Sequence, residues 1–131
     1  MTGFALPPLD AFLDAHREYI ARFGGEPGLR DRGRLEAAIG RAQALIDYGD
    51  APDIAAVAAA VAQGISNNHP FVDGNKRVSF GAIVAILHMN GFTLDVTERD
   101  AVAAIYAVAE GKMDDTALAG WIRENAVGIG T

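Results

Sequence analysis

The chain has 131 residues, a formal net charge of −6 at pH 7 and no cysteine. Its length suits one domain, and a hydrophobic content of 50% is enough to build a buried core. The lack of cysteine excludes disulfides, thiolate metal sites and cysteine nucleophiles. The acidic balance argues against a broad nucleic-acid-binding surface, which is usually basic. We therefore expect a single domain over residues 1–131 that does not bind nucleic acid directly.

The sequence also predicts neither export nor membrane insertion. The first twelve residues, "MTGFALPPLDAF", lack a basic start followed by an apolar stretch. The longest apolar run, residues 78–87, contains Ser79 and is too short to cross a bilayer. We expect a cytoplasmic protein with no membrane partner.

Hydrophobic spacing predicts helices in the first two thirds of the chain. Apolar residues recur at helical spacing from Leu9 onward, until two glycines follow Phe23. Asp31 and Asp53 are placed to cap the second and third helices. The next helix, from residue 75 to about residue 90, is apolar on most sides, so we expect it to be the central and most buried helix.

The last third predicts a short extended segment and two more helices. Residues 92–96, "FTLDV", alternate between apolar and polar side chains. Thr97 is placed to cap one helix, and Asp114 or Asp115 is expected to begin the last one. Residues 128–131, "GIGT", are expected to form a frayed tail. The predicted fold is therefore an all-α domain of about six helices with at most a small β element.

Polar residues concentrate in "NHPFVDGNKR", residues 68–77, just before the predicted central helix. The first N–H groups of a helix lack internal partners, and the helix dipole favours an anion there. Gly74 and Asn75 allow several N–H groups to converge, and Lys76 and Arg77 add two positive charges. Two cations in a first helical turn oppose the dipole until an anion binds. The segment therefore predicts a polyphosphate site.

Two further residues of this segment suggest chemistry on the phosphate. Asp73 is predicted to hold Mg²⁺, because this ion commonly uses one or two carboxylates together with phosphate oxygens and waters. His69 is predicted to take a proton from a hydroxyl that attacks the phosphate. Each residue alone also fits a purely structural role in a helix-capping turn, and it is their combination that favours a site.

Residues 69–77, "HPFVDGNKR", closely resemble the signature of the Fic/Doc superfamily, and the chain is most similar to the Doc (death-on-curing) toxin branch. Residues 22–43, "RFGGEPGLRDRGRLEAAIGRAQ", resemble the second characteristic stretch of that branch. The resemblance implies a Fic fold, in which the motif loop leads into a central buried helix. It also implies ATP and Mg²⁺ as reactants. By position it assigns His69 as general base, Asp73 as metal ligand, Gly74, Asn75 and Lys76 as the anion-binding segment, and Arg77 as a phosphate contact.

The resemblance also bears on the reaction. Most Fic proteins transfer AMP to a protein hydroxyl, whereas Doc-like toxins phosphorylate a threonine of elongation factor Tu and are neutralised by a Phd-like antitoxin. The AMP-transferring pattern has glycine where this chain has Lys76, and a second arginine where it has Phe80. Both differences match the Doc branch and favour a protein Ser/Thr kinase that transfers the γ-phosphoryl group of ATP and arrests translation. AMP transfer and a non-catalytic module that binds the antitoxin in repression are the alternatives.

Two regulatory features of the family have partial counterparts in this sequence. Family members hold their target against a flap, and residues 45–50, "LIDYGD", occupy the matching interval, with Asp47 and Tyr48 as candidate docking residues. A plain loop between helices fits this interval equally well. The inhibitory Ser/Thr-x-x-x-Glu-Gly motif of some members has its nearest match in residues 106–111, "YAVAEG", which lack the Ser or Thr. We therefore expect inhibition by a separate protein.

Overall fold

A computed structural model describes residues 4–129 and shows a mainly helical domain. Its elements are α1 (Leu9–Phe23), α2 (Arg32–Tyr48), α3 (Ile54–Asn68), α4 (Asn75–Met89), β1 (Phe92–Leu94), α5 (Glu98–Ala109), α6 (Asp115–Asn125) and β2 (Ala126–Gly128). The all-α prediction of about six helices is confirmed. Within residues 4–129, no helix has the length and apolar character needed to cross a membrane.

Four helices begin at the capping residues that the sequence predicts. Each capping side chain accepts a hydrogen bond from the backbone N–H three residues later, which satisfies one donor that the helix leaves free. These residues are Asp31, Asp53, Thr97 and Asp114.

The core is built around α3, not around α4. Twelve of the 15 residues of α3 are buried, compared with seven of the 15 in α4. The prediction that α4 is the most buried helix is therefore wrong, and the reason is that one side of α4 faces an open cleft. Small side chains let α3 approach α2 closely: a Cβ added at Gly64 would lie 2.8 Å from the Cβ of Ala38. The motif loop thus runs from the most buried helix into a half-buried one.

The two strands form a small antiparallel sheet in which Phe92 pairs with Gly128 and Leu94 pairs with Ala126. The N–H of Ile129 also donates to the carbonyl of Gly91 at 2.8 Å. The predicted frayed tail is therefore wrong up to residue 129, because backbone pairing with β1 orders it. Residues 130–131 of that prediction lie outside the described part of the chain.

The interval compared with a target-docking flap, residues 45–50, is helical through Tyr48. Asp47 accepts a hydrogen bond from the Gln43 side chain at 2.9 Å, as expected one turn apart on a helix. Tyr48 is 87% exposed. The last turn of α2 takes the place of an extended flap over residues 45–48, and Gly49 and Asp50 belong to the loop that follows. A docking role for Asp47 and Tyr48 stays a prediction.

Candidate active site

The motif loop (residues 69–74) joins α3 to α4 and is fastened along the loop that joins α1 to α2 (residues 24–31). The backbone N–H groups of Arg30 and Asp31 both donate to the carbonyl of Pro70, at 2.8 and 3.0 Å. A further hydrogen bond and an isolated β-bridge join the same two loops. The stretch of sequence that resembles the family's second block therefore serves to hold the motif loop.

The side chain of Asn75 clamps the motif loop from inside. Its Oδ1 accepts from the N–H of Phe71 at 3.0 Å, and its Nδ2 donates to the carbonyl of Phe71 at 2.9 Å. Both residues are buried. Both polar atoms of the Asn75 amide are thus turned to the loop, and its backbone N–H is the group that it presents at the start of α4.

The start of α4 has the geometry of an anion site. Gly74 has φ +81°, a left-handed conformation that favours glycine, and it is the residue that opens the helix. Its N–H donates to Oδ1 of Asp73 at 2.8 Å. The N–H groups of residues 75–77 belong to the first turn and have no partner within the helix. The positive end of the helix dipole is thus left for an external anion.

Lys76 and Arg77 carry positive charge at the same helix end. The Lys76 ammonium lies 5.4 Å from the ring centroid of Tyr106 on α5, and the Arg77 guanidinium lies 4.0 Å from the ring of Phe23 at the end of α1. Seven other lysine and arginine side chains form ion pairs, but neither of these two does so with any residue in the range 4–129. Their charge is therefore available to a phosphate.

The Asp73 carboxylate is held by two backbone donors. Oδ2 accepts from the N–H of Glu26 at 3.1 Å, and Oδ1 accepts from the N–H of Gly74. The Glu26 and Gly74 hydrogen bonds, with smaller contributions from His16 and Lys76, lower the pKa of this carboxyl. The group is therefore ionised at neutral pH and keeps further electron pairs for a cation.

This carboxylate fits the needs of Mg²⁺ bound together with a nucleotide. No group of three or more His, Cys, Asp and Glu side chains suited to a metal occurs in the part of the chain that the structure describes. An ion held by protein groups alone is not the arrangement to expect here. Mg²⁺ commonly combines one or two carboxylates with phosphate oxygens and waters, and Asp73 beside the α4 N-terminus matches that pattern.

His69 ends α3 in a left-handed conformation, with φ 50° and ψ 59°. This backbone turn takes the chain out of the helix and into the motif loop, and the side chain is exposed. Its imidazole has no hydrogen-bond partner among residues 4–129 of the structure. A ring nitrogen is therefore free to accept a proton from a substrate hydroxyl.

These groups share a cleft of about 890 Å³, a size typical of small-molecule sites. Its second wall is mainly apolar and comes from the end of β1, the β1–α5 connection and α5. Sequence reasoning missed this wall because Val102 and Tyr106, one turn apart on α5, fit an ordinary core-facing stripe, whereas the structure leaves both half-exposed in the cleft. The remaining apolar members of the wall are Leu94, Val96, Ala101 and Ile105, and Thr97 and Glu98 are its polar members. The cleft can thus receive both a charged and an apolar part of one ligand.

The structure brings six of the eight predicted site residues together in this cleft. They are His69, Asp73, Gly74, Asn75, Lys76 and Arg77. The two candidate docking residues do not line it. Tyr48 lines a separate groove of about 570 Å³ between α2, α3 and α6, and Asp47 lies beside it in sequence.

Comparison with known sequences matches this geometry to one family. The sequence model of the Fic/DOC family matches residues 6–87, well over half of the chain. The chain belongs to the Fic/DOC family. The match includes the motif loop and most of α4 but ends before α5, so the apolar wall of the cleft lies outside it.

Two curated relatives support the membership in this family. The chain is 40% identical to the "Protein kinase doc" of Escherichia phage P1 over 82 residues, which covers 63% of this chain and 65% of that protein. It is 47% identical to the "Toxin Doc" of Mycolicibacterium smegmatis over 73 residues, which covers 55% of this chain and 56% of that protein. The similarity thus spans less than two thirds of the length of each relative.

Proposed function

We propose that this Fic/DOC protein is the toxin of a toxin–antitoxin pair and transfers the γ-phosphoryl group of ATP to a Ser or Thr hydroxyl of a target protein. One observation carries the proposal: two cations without acidic partners and an ionised carboxylate flank the N-terminus of α4, beside an unpartnered imidazole. The names of the two relatives, a protein kinase and a toxin, point in the same direction.

The triphosphate of ATP would lie against the first turn of α4. The backbone N–H groups of residues 75–77 would donate to phosphate oxygens, Arg77 would bind two oxygens at once, and Lys76 would act as a mobile charge. Asp73 would hold Mg²⁺, which when bound neutralises phosphate charge. The apolar wall on α5 would cover the nucleoside.

The chemical step would need one proton acceptor and an in-line approach. His69 would accept the proton of the target hydroxyl, whose oxygen forms a bond to the γ-phosphorus. The bond from that phosphorus to the β–γ bridging oxygen breaks, and ADP leaves with the electron pair. Such transfer depends mainly on positioning and on charge neutralisation, which the cations and amides of this cleft would supply.

The side chains around the helix end favour phosphoryl transfer over AMP transfer. Phe80 lines the cleft at the position where the AMP-transferring pattern has its second arginine. Lys76 replaces the glycine of that pattern and places a long cationic side chain between α4 and α5. AMP transfer is the second candidate, because the N–H groups at a helix end bind an α-phosphate as readily as a γ-phosphate.

The proposed partners follow the resemblance of the motif. The target would be elongation factor Tu, whose modification would arrest translation in the cytoplasm, and a Phd-like antitoxin would neutralise the protein. Asp47 and Tyr48 would contribute to target docking from the end of α2. Exposure of Tyr48 supports this last role, since an exposed aromatic ring is a common anchor at protein interfaces.

Labelled ATP distinguishes the candidate functions. Purified protein is incubated with Mg²⁺, elongation factor Tu and ATP labelled at the γ- or the α-phosphate. We expect label on the target only from γ-labelled ATP, its loss in His69→Ala, and its retention in the control His88→Ala. The His88 side chain is exposed, and within residues 4–129 its one hydrogen-bond partner is Thr93. Label arriving only from the α-phosphate would establish AMP transfer. Growth arrest that survives His69→Ala undiminished would indicate the non-catalytic module.

A further inference from the structure

A buried histidine on α1 contacts the motif loop although 57 residues separate the two in sequence. His16 lies one turn after Phe12 on the buried side of α1, and only 4% of its surface is exposed. A buried imidazole needs a hydrogen-bond partner. Its Nε2 lies 2.8 Å from the backbone carbonyl oxygen of Asp73. Because a carbonyl only accepts, Nε2 carries the hydrogen and donates it.

The same ring contacts two more residues of the motif. It stacks on Phe71 with 4.0 Å between ring centroids and 9° between planes. It also covers Gly74, where an added Cβ would lie 3.5 Å from Cδ2 of His16. His16 thus touches the loop on both sides of Asp73 and at Asp73 itself.

We propose that His16 is a positioning residue that sets the direction of the Asp73 carboxylate and of the first N–H groups of α4; its consequence for the reaction rests on the proposed function. The Asp73 residue is held at three atoms: its carbonyl oxygen by His16, Oδ1 by Gly74 and Oδ2 by Glu26. The Glu26 donor belongs to an exposed loop and the Gly74 donor is the next residue of the motif loop itself, whereas the His16 donor is anchored in the core. Loss of the His16 bond lets the peptide between Asp73 and Gly74 rotate, which moves the carboxylate and the helix opening together.

Two substitutions separate hydrogen bonding from packing. His16→Phe keeps a ring to stack on Phe71 and removes the donor. His16→Gln keeps an N–H donor at the place of Nε2 and removes the ring. His88→Phe serves as the control, because His88 is exposed at the far end of α4. Each full-length variant is checked for folding by circular dichroism.

The first measurement is amide hydrogen exchange over residues 71–77, with α6 as internal reference. The second is the Mg²⁺ concentration for half-maximal transfer at saturating ATP, measured separately from kcat. We expect His16→Phe to speed exchange in residues 71–77 alone and to raise the Mg²⁺ requirement about tenfold, as for the loss of one good hydrogen bond. His16→Gln should stay close to the wild-type protein in both measurements.

The inference would be overturned if His16→Phe behaved like the wild-type protein and His16→Gln did not. A residue that only packs would tolerate Phe and be impaired by Gln. Unchanged exchange in the Phe variant would overturn it as well. If the Phe variant does not fold, the Gln variant decides, since near-normal exchange supports the donor and fast exchange refutes it. If the wild-type protein transfers neither label, the proposed function fails, but the exchange rates still decide the role of His16.

Discussion

The clamp between Asn75 and Phe71 predicts a large effect of a small substitution. Asn75→Ala removes the partner of the Phe71 N–H and of the Phe71 carbonyl at once. Phe71 is 1% exposed and Asn75 is 8% exposed, so water does not easily replace the lost amide. An unsatisfied buried polar group costs about 1–3 kcal/mol, so we expect the two groups together to lower the free energy of unfolding by about 2–6 kcal/mol. For a domain with about 5–15 kcal/mol in total, such a loss is severe.

Asn68→Ala is the matched control for this prediction. Asn68 ends α3, makes one side-chain bond to a backbone carbonyl, that of Arg34, and is only half-buried. The same chemical change there should cost about 0.5–1.5 kcal/mol, the ordinary net value of one hydrogen bond. Urea unfolding followed by circular dichroism gives both values. The slope of the unfolding free energy against urea concentration should stay unchanged. If Asn75→Ala costs no more than Asn68→Ala, the amide does not clamp the loop and the reasoning is refuted.

Two more predictions concern stability away from the cleft. Gly64→Ala should destabilise the fold by about 1–3 kcal/mol because its Cβ would meet Ala38 at 2.8 Å. Gly40→Ala, with open space around it, should stabilise the fold by up to about 1 kcal/mol. Equal stability of the two variants in thermal unfolding would contradict this. Arg123 lowers the pKa of Asp53 through two hydrogen bonds, so the pair stabilises the fold above about pH 4 and loses that effect as the pH falls through the lowered value. The unfolding free energy of Arg123→Ala, measured with urea, should therefore fall less than that of the wild-type protein between about pH 5 and pH 2. Parallel plots of unfolding free energy against pH for the two proteins would count against the ion pair.

Local chemistry made much of the fold predictable. A capping side chain bonds to a backbone N–H only three residues later, so Asp31, Asp53, Thr97 and Asp114 could be assigned from short stretches of sequence. The charged part of the site was equally local, since Gly74, Asn75, Lys76 and Arg77 are consecutive.

What the sequence did not reveal depends on contacts between distant segments. The hydrogen bond from His16 to Asp73 leaves no pattern within either segment. The alternation in residues 92–96 predicts an extended segment but does not reveal that it pairs with residues 126–128. An apolar sequence pattern also gave a wrong expectation of burial where an apolar face lines a cleft. The apolar sequence of α4 predicts a fully buried helix, but Phe80 and Val84 face the cleft that α5 completes.

The two cations of the site rest on aromatic rings from different helices, and this arrangement affects how they can meet a ligand. Lys76 rests on Tyr106 of α5 and Arg77 rests on Phe23 of α1, so each charge is partly offset by the negative face of a ring and not by a carboxylate. A carboxylate partner would compete with phosphate for the same hydrogen bonds, whereas a ring leaves the N–H donors unused. Lys76 and Arg77 are thus exposed and have no acidic partner among the described residues, while the groups that hold the motif loop, Asn75 and His16, are buried and hydrogen-bonded. This division fixes the loop from within the core and leaves the cationic donors at the start of α4 available to phosphate oxygens.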